Sequence, residues 1–371
     1  MQGNKGYTKI GEKEMTPKHK YRVAQVGCGA RGKIHLDAFL KLREQFEIVG
    51  VCDLERRKME ELAASKGIPS DRLFNDADAM LKATQPDLFC FITQPNVPRL
   101  MFVEMAVKHK VKAIAFEKPM ATSLSEASAI IQLCRKNGIR GVVSHQQKYL
   151  TSLQKVKEIV DSGRIGEVTL ITASCQGSLS ALGTHYVDYS MWINGFTRVK
   201  WVVGHVHGKE RLACNHSSPD YTFGQIGFEN DVRVIVEFGK LSKSHMTPDK
   251  YWSDNRLTVF GTKGYAWGET DGRWGALVNG QVRGEQGELW SVQENILQVL
   301  YLAELAHWLD GSLADHSCAI EHAYDGYEVI EALCISAMDH VRVDLPLETG
   351  RCGDMFARMK KELPECLDHI R

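Results

Sequence analysis

Apolar and polar positions change rhythm about midway along the chain. From Tyr21 to about Ser144, short apolar runs alternate with helical stretches, the pattern of a parallel sheet covered on both faces. Tyr21 to Val26, Glu47 to Cys52, Leu88 to Ile92, Lys112 to Phe116 and Gly141 to Ser144 read as strands. Beyond them, Val168 to Cys175, Val199 to Val206, Tyr221 to Phe228, Val232 to Phe238 and Leu257 to Gly261 are β-rich runs between turn-forming clusters. Gly264 to Val282 adds shorter ones. Several alternate apolar with polar residues, which predicts a mainly antiparallel sheet with one covered face. Ser291-x-x-Glu294 has the form of a capping box opening an amphipathic helix through Leu297, Leu300, Tyr301, Leu305 and Trp308. A further helix is expected from about Ile320 to Met338. The fold class is α/β, an N-terminal doubly wound parallel sheet followed by an α+β domain.

Tyr21-Arg22-Val23-Ala24-Gln25-Val26-Gly27-Cys28-Gly29-Ala30-Arg31-Gly32 runs from strand through a glycine turn into a helix. Gly27 permits the tight turn, Gly29 lets the backbone approach a pyrophosphate, and Gly32 lets helix pack on strand. The helix N-terminus, with Ala30 and Arg31 in its first turn, offers N–H groups to phosphates. The next strand ends on Asp53, about 20 residues on, where ribose hydroxyls should lie. Together these predict dinucleotide binding. Asp53 favours NAD over NADP, because a 2′-phosphate would meet its charge. Arg56 and Arg57 lie just beyond.

The 371 residues suggest two domains. The 46 basic and 46 acidic side chains cancel without long single-sign blocks, which argues against nucleic-acid or membrane-surface partners. No apolar stretch reaches the roughly 20 residues of a membrane span. Residues 1–20 are polar and lysine-rich without an apolar centre, so they read as an extension rather than a secretory signal. The ten cysteines form no C-x-x-C pair, as expected of buried thiols in the cytoplasm. His205 and His207 share one strand face but lack a third ligand, so no metal is expected.

Candidate chemistry collects at strand ends, where ligands of open parallel sheets bind. Thr93-Gln94-Pro95-Asn96 follows one strand, in the path of a nicotinamide. Glu117-Lys118-Pro119 follows the next and points into the same crevice, where Glu117 and Lys118 are expected to meet the cofactor and the lysine can stabilise a developing oxyanion. In Gly183-Thr184-His185-Tyr186-Val187-Asp188, a helix would set His185 and Asp188 on one face. A neutral imidazole there suits removal of a hydroxyl proton.

These blocks, with Ser162-Gly163-Arg164-Ile165-Gly166-Glu167-Val168, resemble the glucose–fructose oxidoreductase / inositol dehydrogenase / MocA family from Tyr21 to Leu347. The resemblance implies a Rossmann domain over 21–144 and a substrate and oligomerisation domain over 145–347 with a large open sheet, followed by a tail helix in 348–371. It implies bound NAD, a sugar or cyclitol substrate, and homodimers or homotetramers built on the sheet. Lys118 and His185 occupy the positions that contact the reacting hydroxyl. Many relatives carry an aspartate four residues before that histidine; Ala181 stands there instead. The His145-Gln146-Gln147-Lys148-Tyr149 segment matches a part that reaches cofactor and substrate, making Gln147, Lys148 and Tyr149 candidate substrate contacts beside Tyr186 and Asp188. The expected activity is NAD-dependent oxidation of a hydroxyl on a sugar, glycoside or cyclitol. Glycoside cleavage or epimerisation through tightly held NAD, with Tyr186 or Tyr149 as acid or base, stays open, as does a non-catalytic sensor.

Overall fold

Six parallel strands form the first sheet: β1 (Tyr21–Val26), β2 (Phe46–Cys52), β3 (Leu73–Phe74), β4 (Leu88–Phe91), β5 (Ala113–Glu117) and β6 (Arg140–Ser144). A computed structural model shows them in the order β3-β2-β1-β4-β5-β6, the doubly wound order. It describes residues 19–243, 245, 253–348 and 355–365. All but the last two of the twenty polar N-terminal residues therefore lie outside the described residues. Helices α1 (Ala30–Lys41), α2 (Arg56–Lys66), α3 (Ala77–Thr84), α4 (Leu100–Lys108) and α5 (Leu124–Asn137) connect the strands. Every residue of β4 and β5 is buried, as continuous apolar strings covered on both faces require. Chain order reverses between β1 and β4, which sets a crevice beyond their carboxyl ends.

The second sheet has nine strands: β7 (Val168–Cys175), β8 (Val199–His207), β9 (Tyr221–Phe228), β10 (Arg233–Gly239), β11 (Asn255–Gly261), β12 (Gly264–Gly268), β13 (Arg273–Val278), β14 (Gln281–Gln286) and β15 (Val343–Asp344). Their order is β14-β13-β12-β11-β7-β10-β9-β8-β15, and among them β7 with β10 is the parallel pair. Alternation does what the pattern demanded. Val234, Val236 and Phe238 of β10 face the core, which is covered by helices α6 (Thr151–Asp161), α7 (Thr184–Ile193) and α9 (Ile320–Asp339). The opposite face leaves Val203 and Phe223 each 43% exposed.

Two helices differ from expectation. Helix α8 (Trp290–Leu309) starts one residue before Ser291, and no side chain caps it. Neighbouring demands break the capping box: Glu294 lies 3.9 Å from Arg31, while Gln293 accepts hydrogen bonds from the backbone and hydroxyl of Thr151. The apolar face of α8 also serves the first sheet. Tyr301, Leu302, Leu305 and Ala306 join Leu36 and Phe39 of α1, with Val23 and Leu88, in one core cluster. In the tail, α10 (Met355–Glu362) docks on α9 through Arg358 and Asp339; residues 349–354 and 366–371 lie outside the described residues. Of the cysteines described, eight are free thiols, all buried except Cys214. Among the described residues, no helix is long and apolar enough to cross a membrane.

Candidate active site

At the end of β1 the chain turns with Gly27 at φ +98°. A Cβ there would stand 2.1 Å from the Ile92 carbonyl oxygen, and one on Gly32 would stand 2.1 Å from that of Gly27. Both glycines are therefore required by close approach. Gly29 differs, because a Cβ on it would meet nothing within 4 Å. It is the N-cap of α1, and no side chain caps that helix. Open space over uncapped helix amides fits a pyrophosphate. Asp53 stands beside it, its carboxylate accepting from the backbone N–H of Cys28 at 2.6 Å and of Glu55 at 2.9 Å. These residues fit a dinucleotide. Thr93 to Asn96 form the turn after β4, held by the buried Arg99, whose guanidinium donates to the Pro95 carbonyl at 2.6 Å.

Arg31 turns its side chain inward, which leaves its main-chain N–H as its group for a phosphate. Its guanidinium donates to Glu117 Oε1 at 2.9 and 3.0 Å and to Gln298 Oε1 at 3.1 Å. His35 meets the same Glu117 oxygen at 3.0 Å. Burial alone would raise the Glu117 carboxyl, but Arg31 and His35 outweigh it and hold the group far below the usual carboxylate range.

Lys118 follows directly, and its ammonium donates to the Ala181 carbonyl at 3.0 Å. Burial pushes its pKa down to about 8, with Glu117 opposing and Arg31 adding to the fall. Ala181 lies in a single wide helical turn, Leu179–Gly183, that leads into α7 and His185. Where many relatives place a carboxylate, this lysine therefore meets a neutral main-chain acceptor. His185 is buried, and its Nδ1 has no hydrogen-bond partner among the described residues. Burial first, then the charge on Lys118, holds its pKa well below 6.5, so the imidazole is neutral at pH 7.

Sequence reasoning missed two histidines here. The His145 ring lies edge-on to that of His185 with centroids 5.2 Å apart, and burial brings its pKa down to about 4. His216 lines a cavity of about 190 Å³ together with Asn96, Pro119 and Thr184, and its Nδ1 is buried without a hydrogen-bond partner among the described residues. The His145–Tyr149 segment was marked only by the family resemblance and nothing local marked His216, because each meets the site across a long sequence separation.

The five candidate substrate contacts are occupied by protein partners. Lys148 Nζ stands 2.9 Å from Asp188 Oδ2, donates to the Ser317 carbonyl, and lies 5.2 Å from the Phe196 ring centroid. Burial would lower the Lys148 pKa, but the Asp188 carboxylate outweighs it and the net shift is upward. The Tyr149 hydroxyl donates to Glu304 at 2.6 Å, that of Tyr186 lies 3.4 Å from Thr270 Oγ1, and Gln147 accepts from Tyr189 at 3.0 Å. Burial raises both Tyr149 and Tyr186 well above 10, a poor setting for either as an acid or base at neutral pH.

Comparison with known proteins bears on the family and the fold. Residues 21–145 match a family model described as an oxidoreductase family, NAD-binding Rossmann fold, and residues 157–345 match its C-terminal alpha/beta domain. D-apiose dehydrogenase of Paraburkholderia graminis is 31% identical over 147 residues, covering 40% of this chain and 38% of that protein. D-glucoside 3-dehydrogenase of Escherichia coli is 27% identical, covering 56% of this chain and 67% of that one. A levoglucosan dehydrogenase solved with NADH and levoglucosan superposes with a TM-score of 0.76 at 14% identity, covering 89% of this chain and all of the other. At that identity the superposition speaks for the fold.

Proposed function

Because this chain belongs to the GFO/IDH/MocA oxidoreductase family, we propose that it oxidises a hydroxyl of a sugar, glycoside or cyclitol to a ketone, or runs the reverse. It is a dehydrogenase with an NAD-binding Rossmann domain. Bound NAD supplies the hydride acceptor; Gly27, Gly29 and Gly32 would admit its pyrophosphate and Asp53 its ribose. The observation that carries the proposal is that the Lys118 ammonium reaches the turn leading into His185, near enough for its charge to lower the pKa of the histidine. The lysine ammonium is anchored 3.0 Å from the carbonyl of Ala181, four residues before the histidine. One of its three protons is used there, and the others are free to bind a substrate oxygen. The neutral His185 takes the hydroxyl proton, and the Lys118 ammonium stabilises the oxygen as negative charge grows.

Two further parts of the reading rest on other observations. A partner copy belongs on the open face of the second sheet, where Val203 and Phe223 are exposed. Eight free thiols suit a reducing compartment such as the cytoplasm. Screening sugars, glycosides and inositols for NADH formation and for released aglycone tests the function. Net NADH with ketone product is expected. Aglycone release without net NADH would replace dehydrogenation by redox-neutral cleavage, and no reaction with any polyol would overturn the substrate class.

A further inference from the structure

The cavity beside the catalytic pair has a character that the proton-transfer residues do not explain. It is bounded by Pro119, which follows Lys118, and by Thr184, which precedes His185, so it shares walls with the reacting centre. Most of the surface in the remaining wall is apolar, from Pro95 after β4, Tyr327 and Ile330 of α9, and Phe356 of α10, with polar Asn96, Ser180, Asn215 and Glu331 among the rest. Complete small-molecule sites occupy about 300–1,000 Å³. At about 190 Å³, this cavity is too small for a whole substrate. It exceeds the roughly 150 Å³ of a cavity known to hold benzene. One ring fits. Most of the surface the cavity offers is apolar, which suits a flat apolar ring better than a sugar with a hydroxyl on nearly every carbon.

We propose that this cavity is an aglycone subsite and that the substrate is a glycoside carrying a flat apolar aglycone. The inference rests on the dehydrogenase reading above. The sugar hydroxyl faces Lys118 and His185, while the aglycone enters between Ile330 and Phe356. His216, neutral at pH 7 and bonded to the Ser180 backbone, stands in the same wall with its Nδ1 buried and unmatched by a hydrogen bond among the described residues, an acceptor for a hydroxyl of the sugar.

Calorimetric titration of the full chain, with and without NAD, compares methyl and phenyl glycosides of the same hexose across a panel of hexoses. Phenyl glycosides are expected to bind at least about tenfold tighter, the gain from burying one ring. Ile330→Trp fills the cavity and should erase that gain while NAD affinity stays unchanged. Phe356→Ala, on the peripheral helix, should reduce it and serves if the tryptophan variant does not fold. Equal affinities throughout, no binding by any phenyl glycoside, or a full gain surviving both substitutions overturns the proposal. Weakened NAD binding in Ile330→Trp also overturns it by assigning the cavity to the cofactor. NADH formation, measured separately, keeps the two readings apart. Equal turnover of methyl and phenyl glycosides loses the subsite alone, whereas tight phenyl binding without NADH loses the dehydrogenase reading alone.

Discussion

Replacing Lys148 by methionine separates a substrate contact from a buried ion pair. Its side chain is fully buried and that of Asp188 is 2% exposed, with 2.9 Å between ammonium and carboxylate. The ammonium is already met by Asp188, the Ser317 carbonyl and the Phe196 ring. Lys148→Met strands the Asp188 carboxylate in the interior. His145, 3.7 Å away, is held neutral in the parent mainly by burial; losing the Lys148 charge lets its pKa rise, so it makes up only part of the lost charge. Breaking one half of a buried pair costs about 3–5 kcal/mol. For a domain of this size that corresponds to a melting shift on the order of 10 °C. Replacing both partners, Lys148→Met with Asp188→Leu, should recover most of the loss. Thermal melts monitored by tryptophan fluorescence, paired with KM, provide the assay. A variant that melts like the parent but shows a KM raised tenfold or more would refute the ion-pair reasoning and restore Lys148 as a substrate contact.

Other outcomes follow from the same geometry. NAD should bind more tightly than NADP, and Asp53→Ala should narrow the difference; tighter NADP binding to the parent would contradict the role given to Asp53. Lys118→Ala should abolish turnover with NAD affinity nearly unchanged, and near-parental turnover would place the site elsewhere. Because the Lys118 ammonium is lost as pH rises through about 8, kcat/KM for oxidation should decline above that pH; a profile flat to pH 10 would count against it. His185→Asn should lose about 10²–10⁴-fold in oxidation. In the parent enzyme, the acid limb should lie below pH 6.5, because the His185 pKa is lowered and protonation removes the base. An unchanged profile in the asparagine variant would name another base.

Local signals made the fold legible. The glycine turn, the wholly apolar β4 and β5, and the alternation in β10 each encode their environment within a few residues. The element ends that carry Lys118 and His185 were readable for the same reason, since the pattern located both. What escaped was set by contacts distant in sequence. Lys148 and Asp188 are forty residues apart, and neither segment shows that the other neutralises it. Arg31 looked like a phosphate ligand because its turn is one, yet its guanidinium is drawn to Glu117, at the end of another strand. The capping box failed similarly. Ser291 and Glu294 have the right spacing, but Arg31 and the start of α6 determine what the first turn of α8 touches.

The seating of α8 against α1 has a consequence for how the protein is made. Residues 21–144 contain every strand of the first sheet, yet the cover for Leu36 and Phe39 includes Tyr301, Leu302 and Leu305. On a ribosome the sheet is thus fully synthesised about 165 residues before α8 is complete. At roughly 5–20 residues per second, that gap lasts on the order of 10–30 s. During it, the nascent nucleotide-binding half carries an uncovered apolar stripe along α1. Ribosome-bound chains should therefore remain sensitive to protease in this half until α8 clears the exit tunnel, which makes translation speed and chaperone access part of the route to a working enzyme.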